Sequence, residues 1–240
     1  MKTYVWSLTA RISHWLVFSA LVITYFLGGE EEYINAHAAL GYLAGILIIF
    51  RIFWGISGPR YSRFSDFPIG INKIREFMTN MRVSKLQYAG HNPVASIIMI
   101  AIFLAILLVV LSGMANLAAE GQGLLQSINL NWQSELFEDT HEVMVNILIV
   151  LVLIHLAGIF VDTIFHKESG TLASIFTGYK RIPGENVKLN TFQKLFGIVW
   201  IAGSLSFFAW VMTTQDIKLS ESEKIKSEIE ESGENDENDD

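Results

Sequence analysis

The chain of 240 residues contains no cysteine, and this absence removes several kinds of site at once. Without thiols there is no disulfide, no thiolate-held iron–sulfur cluster and no cysteine-tethered cofactor, so any prosthetic group must be bound non-covalently. We also find no nucleophile–base pair, no phosphate-binding glycine loop and no zinc motif. Acid–base catalysis by the chain's own side chains is therefore not expected, and whether it is an enzyme stays open.

Charge is scarce as well. Charged residues make up 17% of the chain, against about 25% in an ordinary soluble domain. Five apolar runs fill the space instead, over approximately residues 8–28, 36–56, 94–119, 141–165 and 195–212. Each is close to the roughly 20 residues that a helix needs to cross a bilayer. We therefore predict an all-α integral membrane protein with five spans.

The first run resembles a signal peptide only in its position. It has no small-residue cleavage site and contains His14, so we expect it to be retained as a span.

Basic residues are missing from two of the four loops, residues 29–35 and 120–140. The other two loops are basic and carry Arg60, Arg63, Lys73, Arg75, Arg82, Lys85, Lys167, Lys180, Arg181 and Lys188. The positive-inside rule predicts that the N-terminus and these basic loops lie in the cytoplasm. For a bacterial inner-membrane protein with five spans, the C-terminal tail then lies in the periplasm.

The acidity of the chain is confined to that tail. Residues 216–240 hold eleven acidic residues against three lysines, a net charge of −8. A segment so charged and so poor in apolar residues is expected to be disordered.

Four histidines lie within or at the ends of the apolar runs: His14, His37, His141 and His155. An ionisable residue in a membrane span marks a functional site by default. The 14 residues from His141 to His155 correspond to about 21 Å along a helix and to nearly four full turns, so the two share one face. With the orientation above, His37 and His141 lie at one depth and His14 and His155 at another.

Two imidazole pairs at two depths are the axial ligands that two b haems would need to pass electrons and bind nothing else. Gly41, one turn after His37, would let a porphyrin approach closely, although a small residue also serves helix packing. Arg11 and Arg51 lie at the cytoplasmic level, where they would pair with the propionates of the inner haem. The alternative for both arginines is a snorkelling anchor at the membrane surface.

Three further polar residues lie near the cytoplasmic level. His91 precedes Asn92 and Pro93, which predict the cap and first residue of span three; it is interpreted as structural or as part of a quinone pocket. His166 is interpreted as interfacial. Asp162 is interpreted as a hydrogen-bond partner or as a group near the water boundary, with a proton or quinone role as the alternative.

Taken together, these residues resemble the prokaryotic di-haem cytochrome b family, which includes bacterial cytochrome b561 and the b-type cytochrome subunit of nickel–iron hydrogenases. The matching stretches are residues 11–15, 37–42, 51–55, 58–64, 90–93, 141–142 and 177–181, with His155 in span four. The resemblance covers roughly residues 4–182. It implies a four-helix bundle with two b haems, in which His14 pairs with His155 and His37 with His141.

The resemblance also suggests the division of the chain and its partners. We expect a di-haem cytochrome domain over 1–182, a linker with the fifth span over 183–214 and the acidic tail over 215–240. The family exchanges electrons between the quinone pool and an external redox protein, here expected to be a c-type cytochrome that the acidic tail attracts. A merely solubilising tail is the alternative. Lipid and quinone are expected contacts, and nucleic acid is not.

Other functions remain open within and outside this class. One alternative is that the chain is the cytochrome b anchor subunit of a nickel–iron hydrogenase or a formate dehydrogenase. Another is that it is a b561 that oxidises superoxide. Outside the class, a histidine-based metal transporter is disfavoured, because such a site is expected near the bilayer midplane rather than near the two faces.

Overall fold

The computed structural model describes residues 2–80, 88–128, 134–215 and 217. The predicted tail beyond Ile217, as well as Asp216, Arg82 and Lys85, lies outside the described residues. The described part is mostly helical. Its α-helices are α1 (Leu8–Phe26), α2 (Ile34–Ser57), α3 (Ile71–Asn80), α4 (Pro93–Ala119), α5 (Ser134–Phe165), α6 (Thr171–Thr177) and α7 (Thr191–Thr214).

Five of these helices are long and apolar enough to cross a membrane, namely α1, α2, α4, α5 and α7. The predicted five spans are thereby confirmed. The largest difference is at α5, which begins at Ser134 and not near His141. Its first turns carry Glu135, Glu138 and Asp139. Because this helical extension is polar, it lies outside the apolar run over residues 141–165. His141 therefore lies about two turns inside the helix.

Side-chain caps define three of the spanning helices at the end where they begin. Ser7 accepts a hydrogen bond from the Ala10 amide, and Asn92 accepts one from the Ala95 amide with Pro93 in the first turn. Asn190 and Gln193 form a capping box at the start of α7. Each cap satisfies amide groups that a helix leaves unpaired at its N-terminus.

The spanning helices form two pairs of neighbours in the chain, and α2 joins these pairs and α7 into one bundle. α1 lies along α2, α4 lies along α5, and α2 also contacts α4 and α7. The contact of α2 with α4 is close at Gly45, where an added Cβ would lie 2.9 Å from the Val110 side chain. Buried Ile48, Ala105 and Ile106 continue the same contact. The bundle thus forms around α2, which is the most deeply buried of the five helices.

The fifth spanning helix is an integral part of this bundle. On α2, Trp54 is fully buried, and its ring stacks on that of Phe196 with centroids 6.4 Å apart and planes at 8°. Farther along α7, Val211 is buried, as is Ile217 beyond the helix, and both pack against Ala38 and its neighbours at the start of α2. The start of the predicted tail is therefore packed beside His37.

One end of the bundle carries the short elements that hydropathy does not predict. Strand β1 (Thr3–Tyr4) pairs antiparallel with β2 (Tyr179–Lys180). The Thr3 hydroxyl donates to the Ile182 carbonyl at 2.6 Å. α3 and α6 also lie at this end, which we call the basic end because it bears the lysine- and arginine-rich loops.

Candidate functional site

His37 and His141 face each other at the end of the bundle opposite the basic end, and we call them the outer pair. His37 lies in the first turn of α2, and His141 lies on α5. Their ring centroids are 6.3 Å apart, with the ring planes at 65°. Their positions in the sequence predict that these two residues lie at one depth, and the structure brings them together.

Each imidazole of the outer pair is held by a backbone carbonyl of another helix. His37 Nδ1 lies 2.9 Å from the Thr24 carbonyl of α1, and His141 Nδ1 lies 2.9 Å from the Val109 carbonyl of α4. A carbonyl only accepts, so each Nδ1 carries the proton and donates. In both rings Nε2 is then the free nitrogen. This is the arrangement typical of a metal-ligating histidine, whose second nitrogen is oriented by a backbone acceptor.

The spacing of the outer pair suits one iron between the two rings. An imidazole nitrogen binds a first-row metal at about 2 Å, so two rings on opposite sides of one ion have centres about 6 Å apart. The observed separation of 6.3 Å agrees with this value. The residues present therefore fit an axially ligated haem at this position.

Two glycines near the outer pair have different surroundings. At Gly113 on α4, an added Cβ would lie 3.0 Å from His141 Cε1 and 3.1 Å from Nδ1. At Gly41, one turn after His37, an added Cβ would meet nothing within 4 Å. Of the two roles considered for Gly41, cofactor approach and helix packing, the open space favours approach, whereas Gly45 packs against Val110. Gly113 carries no signal in the sequence that links it to His141.

His14 and His155 form the inner pair, nearer the basic end. His14 is exposed on α1 and His155 is half-buried on α5. The two lie within electrostatic range of each other, and Arg51 of α2 is close enough to His14 to act on it as well. The structure thus gathers the predicted inner residues from three helices.

The two arginines assigned to the inner level differ in their surroundings. Arg51 has a buried Nη1 that finds no hydrogen-bond partner among the described residues, and its guanidinium lies over the Phe103 ring, 5.6 Å from the centroid. A buried cation without an acceptor is costly, so the site calls for an anion. Arg11 instead donates from Nη1 to the Phe176 carbonyl of α6, while its Nε is buried without a partner. Arg51 fits the propionate role more closely than Arg11.

His91 lies deep at the basic end, just before α4. Its ring packs between Trp6 and Phe67, with centroid distances of 4.9 and 5.1 Å. Its Nδ1 is buried and has no hydrogen-bond partner in the described ranges. Burial, reinforced by Arg51 and then Lys180, lowers the pKa of His91 well below 6.5. The ring is therefore neutral at physiological pH.

Lys180 on β2 is a buried cationic residue whose importance the sequence does not reveal. Its Nζ donates to the Tyr88 and Gly90 carbonyls at 3.2 and 3.0 Å. Burial lowers its pKa to about 8, although Asp162 opposes the shift. The side chain therefore ties the loop before α4 to the segment after α6.

His166 and Asp162 are paired rather than separate. His166 is buried, and its Nδ1 lies 3.1 Å from Asp162 Oδ1, while Asp162 Oδ2 is buried without a partner. A role as a hydrogen-bond partner is one of those that the sequence suggested for Asp162, and the structure gives His166 as that partner. His166, interpreted from the sequence as interfacial, is buried.

Throughout the described ranges, no three His, Cys, Asp or Glu side chains come together as a metal-binding group. Instead, His37 and His141 face each other from different helices, and His14 and His155 lie within electrostatic range of each other. A bundle of apolar spanning helices with such pairs defines a class of protein, the membrane-embedded b-type cytochromes, in which facing imidazoles are the axial ligands of haem.

Comparison with known proteins gives the same class. A family model described as prokaryotic cytochrome b561 matches residues 5–178, and the chain belongs to this family. It is therefore a multi-pass membrane b-type cytochrome that binds haem b and takes part in electron transport. The resemblance stated from the sequence is confirmed, and α7 lies beyond the matched residues.

Two curated relatives are both named Probable Ni/Fe-hydrogenase B-type cytochrome subunit. The one from Cupriavidus necator is 26% identical over 212 residues, covering 74% of this chain and 86% of the relative. The one from Bradyrhizobium diazoefficiens is 28% identical over 220 residues, covering 74% of this chain and 85% of the relative. No solved structure shows significant similarity to the chain.

Proposed function

We propose that the chain holds two b haems and relays electrons between the quinone pool and a redox protein at the periplasmic face. The observation that carries this proposal is the outer pair, whose rings are spaced for one iron and oriented by backbone carbonyls. His37 and His141 would hold the outer haem, and His14 and His155 the inner one. The haem supplies the one-electron chemistry, and the protein supplies its position and surroundings.

The chain's own residues have distinct tasks in this proposal. The Thr24 and Val109 carbonyls hold the two outer imidazoles with the proton on Nδ1. Arg51 would neutralise a propionate of the inner haem, which supplies the acceptor that its buried Nη1 lacks. Gly41 leaves space beside His37 for a flat ring system.

The proposal is tested by counting haems in the purified full-length protein. We expect two non-covalent b haems per chain and split α-bands in the reduced spectrum, because the two sites have different neighbours. A protein that folds with one haem per chain would contradict the two-site proposal. A folded protein without Soret absorbance, expressed with sufficient haem, would contradict both sites.

Quinone is proposed to react at the basic end, close to the inner pair and His91. The support is that His91 is buried, neutral and without a partner for Nδ1, and lies within electrostatic range of His14 and His155. We expect His91→Gln to slow haem reduction by a quinol analogue while both haems stay bound. An unchanged rate would place the quinone elsewhere.

The proposed orientation places the N-terminus in the cytoplasm, as the loop charges indicate. It is tested with reporter fusions at residues 2 and 215.

The acidic tail would then extend from a point beside His37, since Ile217 packs near Ala38. A basic partner such as a c-type cytochrome would be attracted there, with an affinity that falls as salt is added. Removing residues 218–240 should weaken that binding and reduce its dependence on salt.

The names of the relatives favour a second candidate, the membrane anchor of a hydrogenase or a related oxidoreductase such as formate dehydrogenase. The same two haem sites would then receive electrons from an iron–sulfur subunit. Co-purification from native membranes separates the two proposals. Recovery with an iron–sulfur protein supports the anchor, and recovery with a c-type cytochrome supports the relay.

A further inference from the structure

A cavity of about 580 Å³ lies at the basic end, where α5 ends and α6 begins. Its volume is within the range of about 300–1,000 Å³ that is usual for small-ligand sites. Three cationic side chains line it, Lys2, Lys167 and Arg181, and they come from the N-terminus and from two positions around α6. The fold therefore brings together charges that are up to 179 positions apart in the sequence.

Within the part of the chain that the structure describes, these cations have no acidic partner in an ion pair. None of the three forms an ion pair with a described residue, and among the described residues that line the cavity none is acidic. Glu168 follows Lys167 directly in the chain but does not line the cavity, and Asp162 lies behind His166 and bonds to it. The cavity is thus a concave site with an excess of positive charge.

His166 adds a fixed polar group to the wall. The side chain is buried yet lines the cavity, and its Nδ1 is held 3.1 Å from Asp162 Oδ1. A carboxylate accepts, so Nδ1 donates to it and Nε2 is the nitrogen left for a ligand. The wall therefore combines three exposed cations with one imidazole held by a carboxylate.

The cavity lies beside the end of a helix long and apolar enough to cross a membrane. The spanning segment of α5 ends at Phe165, directly before His166. Two large, mainly apolar side chains line the cavity yet remain exposed and form an apolar rim, Leu172 at 49% and Tyr179 at 47%. Exposed apolar groups beside a cluster of cations suit an amphiphile. Its acyl chains would contact the apolar groups, and its anionic headgroup would contact the cations.

We propose that this cavity binds the phosphate headgroup of an anionic phospholipid. The ligand is a lipid and not a free phosphate because the apolar rim is continuous with the cationic wall. The site does not depend on haem binding or on the identity of the redox partner. It lies outside the residues assigned to electron transfer.

The test is a lipid titration of the full-length protein in a neutral detergent, followed by thermal unfolding. Phosphatidylglycerol is compared with phosphatidylcholine and with inorganic phosphate. The variant replaces Lys2, Lys167 and Arg181 by Gln. The matched control replaces three other exposed cations of the basic end, Lys73, Arg75 and Lys188, by Gln.

We expect phosphatidylglycerol to raise the unfolding temperature of the wild type and of the control, and phosphatidylcholine and phosphate to leave both unchanged. Each cation near an anionic headgroup contributes about a fivefold gain in affinity, so the triple variant should bind about a hundredfold more weakly. Native mass spectrometry of the wild type should show one retained anionic lipid. If the triple variant does not fold, two other variants replace it. The charge-conserving variant Lys2→Arg, Lys167→Arg, Arg181→Lys should retain the lipid, and the single variant Arg181→Gln should bind the lipid more weakly than the wild type.

Three outcomes would overturn the proposal. An equal effect of inorganic phosphate would identify a free-anion site. An equal loss in the control would identify a diffuse basic surface without a defined site. No response of the wild type to phosphatidylglycerol, together with no retained lipid, would mean that the cavity binds neither.

Discussion

His37 and His141 come from helices that share little direct packing, yet their ring centroids lie 6.3 Å apart. The reason is that each ring is anchored to a third helix, His37 to the Thr24 carbonyl of α1 and His141 to the Val109 carbonyl of α4. The geometry of the outer pair therefore depends on the packing of four helices, α1, α2, α4 and α5.

Replacing His141 by Ala should reduce the haem content from two per chain to one, because it removes one of the two outer ligands. His14→Ala should remove the other haem, at the inner pair. The measurement is a haem assay per mole of purified protein, with the reduced spectrum showing which band is lost. His166→Ala is the control, since His166 bonds to Asp162 and faces no second histidine. Loss of one haem from His91→Ala as complete as from His141→Ala would show that the pairing is wrong.

Replacing Gly113 by Ala should disturb the outer haem while the bundle stays folded. The new Cβ would lie 3.0–3.1 Å from the His141 ring, so the ring must move by a few tenths of an ångström away from its carbonyl acceptor. We expect a shifted low-spin signal in the ferric electron paramagnetic resonance spectrum and faster loss of haem in detergent. Gly203→Ala is the matched control, because a Cβ there meets nothing within 4 Å. An unaltered spectrum in Gly113→Ala would argue against ligation by His141.

Replacing Lys180 by Met should remove a specific part of the pH dependence of stability. Burial lowers the pKa of Lys180 from 10.5 to about 8. Between these values the unfolded chain binds more protons than the folded one, so the free energy of unfolding of the wild type should rise with pH in this window. The measurement is thermal unfolding from pH 7 to 11. At each pH the free energy of unfolding of the variant is subtracted from that of the wild type.

The exposed residue Lys188, replaced by Met, provides the control for Lys180. It should follow the wild-type curve. A wild-type curve parallel to that of Lys180→Met across the window would show that the amine is not buried as the structure describes.

Replacing Trp54 by Ala should loosen α7 from α2. Trp54 is fully buried, and its ring contacts those of Phe50 and Phe196 at centroid distances of 5.3 and 6.4 Å. We expect a loss of about 3 kcal/mol, the lower end for buried aromatic truncations, because in a membrane the transfer from water contributes little. Unfolding in a denaturing detergent measures it. Ile198→Ala, which removes a 64% exposed side chain of α7 outside the aromatic stack, should have a much smaller effect. Equal losses would mean that the aromatic stack does not hold α7.

Much of this architecture is predictable from local patterns. The five spans follow from the length of the apolar runs, and the start of α4 follows from Asn92 and Pro93. The pairing of His37 with His141 follows from depth, because helix rise and loop charge are local quantities. Hydropathy fails at the polar first turns of α5 and at α3 and α6, since these segments carry no long apolar run.

The parts of the site that involve distant backbone atoms are not predictable in this way. The carbonyls of Thr24 and Val109 carry no sequence signature, and Gly113 matters only because α4 and α5 pack closely beside His141. Lys180 is basic like its neighbours in the loop, and its burial depends on the carbonyls of Tyr88 and Gly90, about 90 residues away.

The amino-acid sequence alone indicates that this protein lies in a membrane, that five of its segments are long and apolar enough to cross it and that His37 and His141 lie at one level, because these depend on transfer free energy and helix rise. Only the tertiary structure decides which imidazole nitrogen is free, which arginine lacks an acceptor and which cations line one cavity. Those properties depend on atoms that the packing of separate helices brings within hydrogen-bonding distance, and no local pattern encodes such distances.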